Sequence, residues 1–280
     1  MRLIRVAVAS VSILLFAAVG EPVTAEAQTN VTTICSNQAI PAGYVILSAT
    51  SSSRCPVSPK PNQYRIGIPG IQASVCSISP IPTGYVITAS TNNVNCPVVT
   101  NSHNLYTIRQ PSSPIQVCSI SRIPSGYVIA SATTTVNCPA TAQLNSYQIR
   151  ALTGGTFVCS VSPIPAGYVI LNASPSVACP ATGALNYYRI GPVVNPSQVC
   201  SVTQIPVGYV VVSAVPATNC PATGQLNSYH IRLPGVTETV CSVSPIPPTW
   251  PAFRRSQTRS NTKTWLPSSI LQEPPALPKA

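Results

Sequence analysis

The spacing of apolar and polar positions changes character several times within each stretch of about 41 residues, the step from Cys159 to Cys200. Residues 159–199 read CSVSPIPAGYVILNASPSVACPATGALNYYRIGPVVNPSQV and serve as the type case. Tyr168-Val169-Ile170-Leu171 is an unbroken run of β-formers and predicts a strand. Tyr187-Tyr188-Arg189-Ile190 alternates, which predicts a second strand with Tyr188 and Ile190 on one face. Gln198 to Val202 predicts a third, short strand leading into the next copy. Ile164-Pro165-Ala166-Gly167 suits a type I turn, with Pro second and Gly fourth. Asn172 to Ala178 reads as a polar loop, and Cys179-Pro180 denies a long strand after it. A different apolar run, Val6 to Val19, follows Arg2 and Arg5 and precedes Ala25-Glu26-Ala27. That is the layout of a secretory leader cleaved before Gln28. Its 14 residues are short of the roughly 20 that a membrane span needs. No second run of that length follows.

The pattern recurs. Copies begin at Cys35, Cys76, Cys118, Cys159 and Cys200, and a sixth begins at Cys241 and fails. The chain therefore divides into a leader (1–27) and five repeats (28–75, 76–117, 118–158, 159–199, 200–240). A truncated sixth repeat (241–248) and an irregular tail (249–280) follow. Short strands in tandem predict an all-β array, in which separate modules and a stacked solenoid both remain open. The sixth copy keeps Cys241-Ser-Val-Ser-Pro-Ile-Pro247, then reads Pro248-Thr-Trp where Gly-Tyr-Val belongs. A reading-frame slip and a genuine tail both account for this break. Either way the tail is expected to be disordered.

The cysteines sharpen the picture. Cys35/Cys55, Cys76/Cys96, Cys118/Cys138, Cys159/Cys179 and Cys200/Cys220 are each 20 apart, which in an exported chain reads as a disulfide framework. Pairing across copies would fit the spacing too. Pairing within copies is expected, because the orphan Cys241 then falls where its partner is missing. Each bridge would contribute about 3 kcal/mol. A free Cys241 raises the prospect of a disulfide-linked dimer.

Charge changes little. The net charge is +11, but charged residues are only 7% of the chain and there is no Asp. The cations are scattered one or two to a repeat rather than clustered on one element, so no nucleic-acid partner is expected. Catalytic constellations are missing as well. The repeats hold one carboxylate, Glu238, and two histidines, His103 and His230, at unrelated positions. A Ser-His-Asp triad or a carboxylate pair cannot be assembled from these. No CxxC or paired His suggests zinc, and no cofactor motif is present. The expectation is a non-enzymatic protein with no catalytic, cofactor or metal residues.

What recurs is Tyr. One series follows Gly: Tyr44, Tyr85, Tyr127, Tyr168 and Tyr209. The other opens Tyr-x-Ile, with an Arg nearby: Tyr64/Arg65, Tyr106/Arg109, Tyr147/Arg150, Tyr188/Arg189 and Tyr229/Arg232. These ten residues are the candidate ligand-binding set, able to stack on sugar rings or meet anionic polymers. The competing reading has both Tyr series packing over the disulfides. The expected function is a structural or adhesive element outside the cell, secreted or periplasmic. The alternative is multivalent binding of extracellular polysaccharide or cell-wall polymer.

Overall fold

The computed structural model describes residues 29–56, 61–98, 103–140, 143–235, 238–245, 256–257 and 262–265. The leader expected over 1–27 lies outside them. Among the described residues every element is a β-strand. The first sheet holds β1 (Thr29–Cys35), β2 (Val45–Thr50) and β3 (Gln63–Ile68); the second β4 (Gln72–Cys76), β5 (Val86–Thr91) and β6 (Leu105–Arg109). Then come β7 (Ile115–Cys118), β8 (Tyr127–Thr133) and β9 (Ser146–Ala151), followed by β10 (Thr156–Cys159), β11 (Tyr168–Ser174) and β12 (Tyr187–Pro192). The fifth sheet holds β13 (Ser197–Cys200), β14 (Val210–Val215) and β15 (Ser228–Arg232). In each sheet the strand last in sequence lies in the middle, antiparallel to both neighbours.

Two local expectations are corrected. The strand expected over residues 198–202 ends at Cys200, because Thr203 N–H turns back to Cys200 O at 2.9 Å. It pairs with β15, so it opens the following sheet. The turn after Ile164 is also displaced by one residue. Tyr168 N–H donates to Pro165 O at 3.1 Å, and Gly167 has φ 81°. A glycine with positive φ at the third position makes this a type II turn, not the type I expected. The left-handed φ is why Gly stands there.

The five disulfides pair within repeats: Cys35–Cys55, Cys76–Cys96, Cys118–Cys138, Cys159–Cys179 and Cys200–Cys220. Where each bridge sits decides between modules and a stack. Cys159 and Cys179 do not fill their own sheet; they pack against Val117, Ile129 and Ile149 of the preceding sheet. Val86, from one repeat earlier still, completes that cluster. The next core repeats the recipe with Val128, then Val158, Ile170 and Ile190, then Cys200 and Cys220. Each inner core thus draws on three consecutive repeats, while the first is closed by Cys76 and Cys96 of the second alone. This explains the unbroken Tyr-Val-Ile run: Ile170 faces its own core while Val169 enters the next one, so both faces are buried and alternation disappears.

Hydrogen bonds fix the same stacking. Three residues after each opening cysteine, a hydroxyl accepts the buried Ile N–H of the preceding repeat: Ser79 from Ile46, Ser121 from Ile87, Ser162 from Ile129 and Thr203 from Ile170, at 2.8–2.9 Å. Ser244 does the same for Val211. In the first repeat, with no described predecessor, the position is Gln38, whose Oε1 accepts from Cys35 N–H at 3.0 Å. The described repeats form a stacked array. Among the residues expected to be a disordered tail, only β17 (Ser256–Gln257) and β18 (Thr262–Trp265) are described. They pair with β16 (Glu238–Cys241) in a sixth sheet of the same order, and the rest of 249–280 lies outside the described residues.

Candidate functional site

Both tyrosine series turn toward the cores. Tyr44 and Tyr64 pack against Ile46 and Ile66, Tyr85 and Tyr106 against Ile87 and Ile108, and Tyr127 and Tyr147 against Ile129 and Ile149. Tyr168 and Tyr188 pack alike in the fourth repeat, as do Tyr209 and Tyr229 in the fifth. All ten are half-buried. Two hydroxyls of the Gly-Tyr series have structural duties: Tyr85 donates to Gly70 O at 2.7 Å and Tyr127 to Pro111 O at 3.1 Å. Burial pushes the Tyr106 and Tyr188 phenols above their ordinary value.

The arginines stand on the opposite side of the same central strands. Arg65 and Arg189 follow a Tyr by one residue, and Arg109, Arg150 and Arg232 by three. Either odd offset places the guanidinium across the sheet from the Tyr and Ile. Arg65, Arg189 and Arg232 are exposed, and Arg109 and Arg150 half-buried. Arg150 reaches the next sheet, donating to Thr156 Oγ1 and to Phe157 O of β10. The aromatic sharing a face with Arg189 is instead Tyr187, stacked on Phe157 with ring centroids 5.2 Å apart. Sequence reasoning passed over that pair, because Tyr187 is outside the recurrent series.

It also passed over a recurrent asparagine two residues before each Tyr-x-Ile: Asn62, Asn104, Asn145, Asn186 and Asn227, all buried. Asn145 Nδ2 donates to Thr135 O at 2.8 Å and Cys138 O at 3.0 Å, while its Oδ1 accepts from Thr135 N–H at 2.9 Å. The same clamp recurs in the other four copies. It ties the loop carrying the second cysteine to the central strand. The signal was a fixed offset in all five copies.

Chemistry is sparse elsewhere. His103 Nδ1 meets Ser90 Oγ at 2.6 Å, with no carboxylate in that contact. Among the described residues, no three of His, Cys, Asp and Glu gather as a metal site, and no helix is long and apolar enough to cross a membrane. Cys241 is a free thiol packed against Val211 and Ile231, and burial pushes its pKa up. A dimer through it would have to draw the sulfur out of that packing.

A cleft of about 700 Å³ lies between the Pro-Gly turn of the second repeat and the opening loop of the third. Ile81, Tyr85, Ile87 and Ile123 form its lower part, and Thr83, Arg122 and Ser125 are exposed at its edge. A second feature is a row of bare valines. Val94, Val136 and Val177, each two residues before a second cysteine, are 98%, 88% and 100% exposed. Compared with known proteins, the chain matches no family profile, no curated protein and no solved structure.

Proposed function

We propose that the chain is an exported, non-enzymatic element of the cell exterior, structural or adhesive in role. The observation that carries this reading is the sharing of each core between consecutive repeats, three of them in the inner cores. Such an array spends its recurrent groups (disulfide, Asn clamp, Ser/Thr hydroxyl) on stiffness between neighbours rather than on an active centre. Stacked repeats of this kind hold a surface feature at a fixed interval, and the exposed valines recur in three consecutive repeats. Weak contacts at that interval add through avidity.

The test is attachment of the producing cells to apolar and polar surfaces. Deleting the protein should weaken attachment. Adding oxidised full-length chain should restore it, and the reduced chain should not. A variant carrying Val94→Thr, Val136→Thr and Val177→Thr should restore less. Unchanged attachment on deletion would overturn the reading. Glycan capture by the recurrent Tyr/Arg set is the second reading. One observation favours it at a single member of that set, Arg189, which is exposed and shares its face with the Phe157–Tyr187 stack.

A further inference from the structure

The cleft between the second and third repeats departs from its sisters in a way that packing does not explain. Its edge is set by three positions. Four residues after the opening cysteine stands Arg122, where the other copies have Ala39, Pro80, Pro163, Gln204 and Pro245. In the Pro-x-Gly turns on either side, x is Thr83 and Ser125, where other repeats carry Ala42, Ala166 and Val207. Only where repeat 2 meets repeat 3 do a cation and two hydroxyls meet at one edge.

None of the three serves the fold as its neighbours do. Ser121, beside Arg122, is the buried hydroxyl that accepts Ile87 N–H. Tyr85 turns its hydroxyl away to Gly70 O and accepts from Gln110 Nε2. The Arg122 side chain is exposed and has no hydrogen bond or ion pair among the described residues. Below it the lining is apolar, with Ile87 5% exposed. An unpaired guanidinium with its fork of donors, two hydroxyls and an apolar floor call for a ligand with a carboxylate, hydroxyls and a C–H face.

We propose that this cleft binds a sugar acid, a hexuronate unit of an acidic polysaccharide. The carboxylate lies on Arg122, ring hydroxyls meet Thr83 and Ser125, and the ring's C–H face covers Ile81 and Ile123. The proposal rests on the adhesive reading and gives it a ligand.

The experiment is calorimetric titration of the oxidised full chain with tetragalacturonate, its fully methyl-esterified form and inorganic phosphate. The variants are Arg122→Gln and the pair Thr83→Ala/Ser125→Ala. Each introduces a residue that a sister repeat already carries at that position, so the fold accommodates it. The acidic oligomer should bind and the neutral ester should not. Arg122→Gln should weaken binding about tenfold or more, the loss expected for a charge-assisted pair. No binding by the unaltered chain, or equal binding by Arg122→Gln, would overturn the site while leaving the attachment test untouched. Phosphate competing on equal terms with the oligomer would overturn the sugar-acid assignment.

Discussion

The fourth repeat and the truncated sixth begin alike. Residues 159–165 and 241–247 both read CSVSPIP. In the fourth repeat Ser162 accepts Ile129 N–H at 2.9 Å, and in the sixth Ser244 accepts Val211 N–H at the same distance. Cys159 fills the third repeat's core, and Cys241 packs against the fifth's. Past Pro247 the sixth copy abandons the pattern. The comparison teaches that the opening residues of a repeat serve its predecessor. Each repeat is covered by the opening of its successor, so a half-copy that keeps the cysteine and the hydroxyl covers Val211 and Ile231 of the fifth, while Ala214 stays half-buried where Ala132 and Ala173 are buried.

Removing a bridge breaks that dependence hardest. Cys159→Ala/Cys179→Ala should cost about 2–5 kcal/mol in urea unfolding. The informative part is where protection is lost. Because the sulfurs sit among Ile129 and Ile149, amide exchange should accelerate first in β8 and β9 of the preceding sheet. Acceleration confined to β10–β12 would show that the bridge serves its own repeat, and the directional account would fail.

The hydroxyls give a finer cut. Ser162→Ala leaves the Ile129 N–H buried without an acceptor, a loss of about 1–3 kcal/mol. Ser244 is half-buried where Ser162 is buried, so water can replace it, and Ser244→Ala should cost less. Equal losses in the two variants would mean that the sixth sheet shields Val211 as thoroughly as a full repeat does.

How much of this was legible in the sequence depends on whether a feature leaves a local trace. Fixed spacing exposes the repeat, runs and alternation of β-formers expose the strands, and the orphan Cys241 at the broken sixth copy selects the within-copy disulfides. The stacking was not legible. Val169 and Ile170 look like one continuous apolar run whether the second face meets solvent, a partner or the next repeat. The turn is displaced by one residue from its expected place because proline's preference for the second position points to Ile164 as the start, whereas the positive φ of Gly167 fixes Pro165 as the first residue. The Asn clamp was visible as an offset, but asparagine near a Pro-rich loop resembles an ordinary loop residue. The parity of Tyr188 and Arg189 was readable too, and it divides the candidate set between two faces. Arg122, Thr83 and Ser125 are deviations from the repeat, and a search for what recurs passes over what departs.

The smallest expected effect concerns the tyrosines that face the cores. Burial raises Tyr106 and Tyr188 above the ordinary phenol value of 10.0, since the charged phenolate is the form that burial disfavours. A group whose folded value is raised contributes stability that is fully present below its unfolded value. That stability is lost as pH rises through the folded value. The array should therefore lose stability as pH climbs from about 10, measured by urea midpoints with Cys241 alkylated to prevent exchange. Tyr106→Phe/Tyr188→Phe removes two of the groups that ionise, so its decline should be shallower over the same interval. Parallel declines would mean that these phenols ionise as freely in the folded array as in the unfolded chain. The half-buried tyrosines would then be wet enough for the glycan-stacking reading to regain ground over core packing.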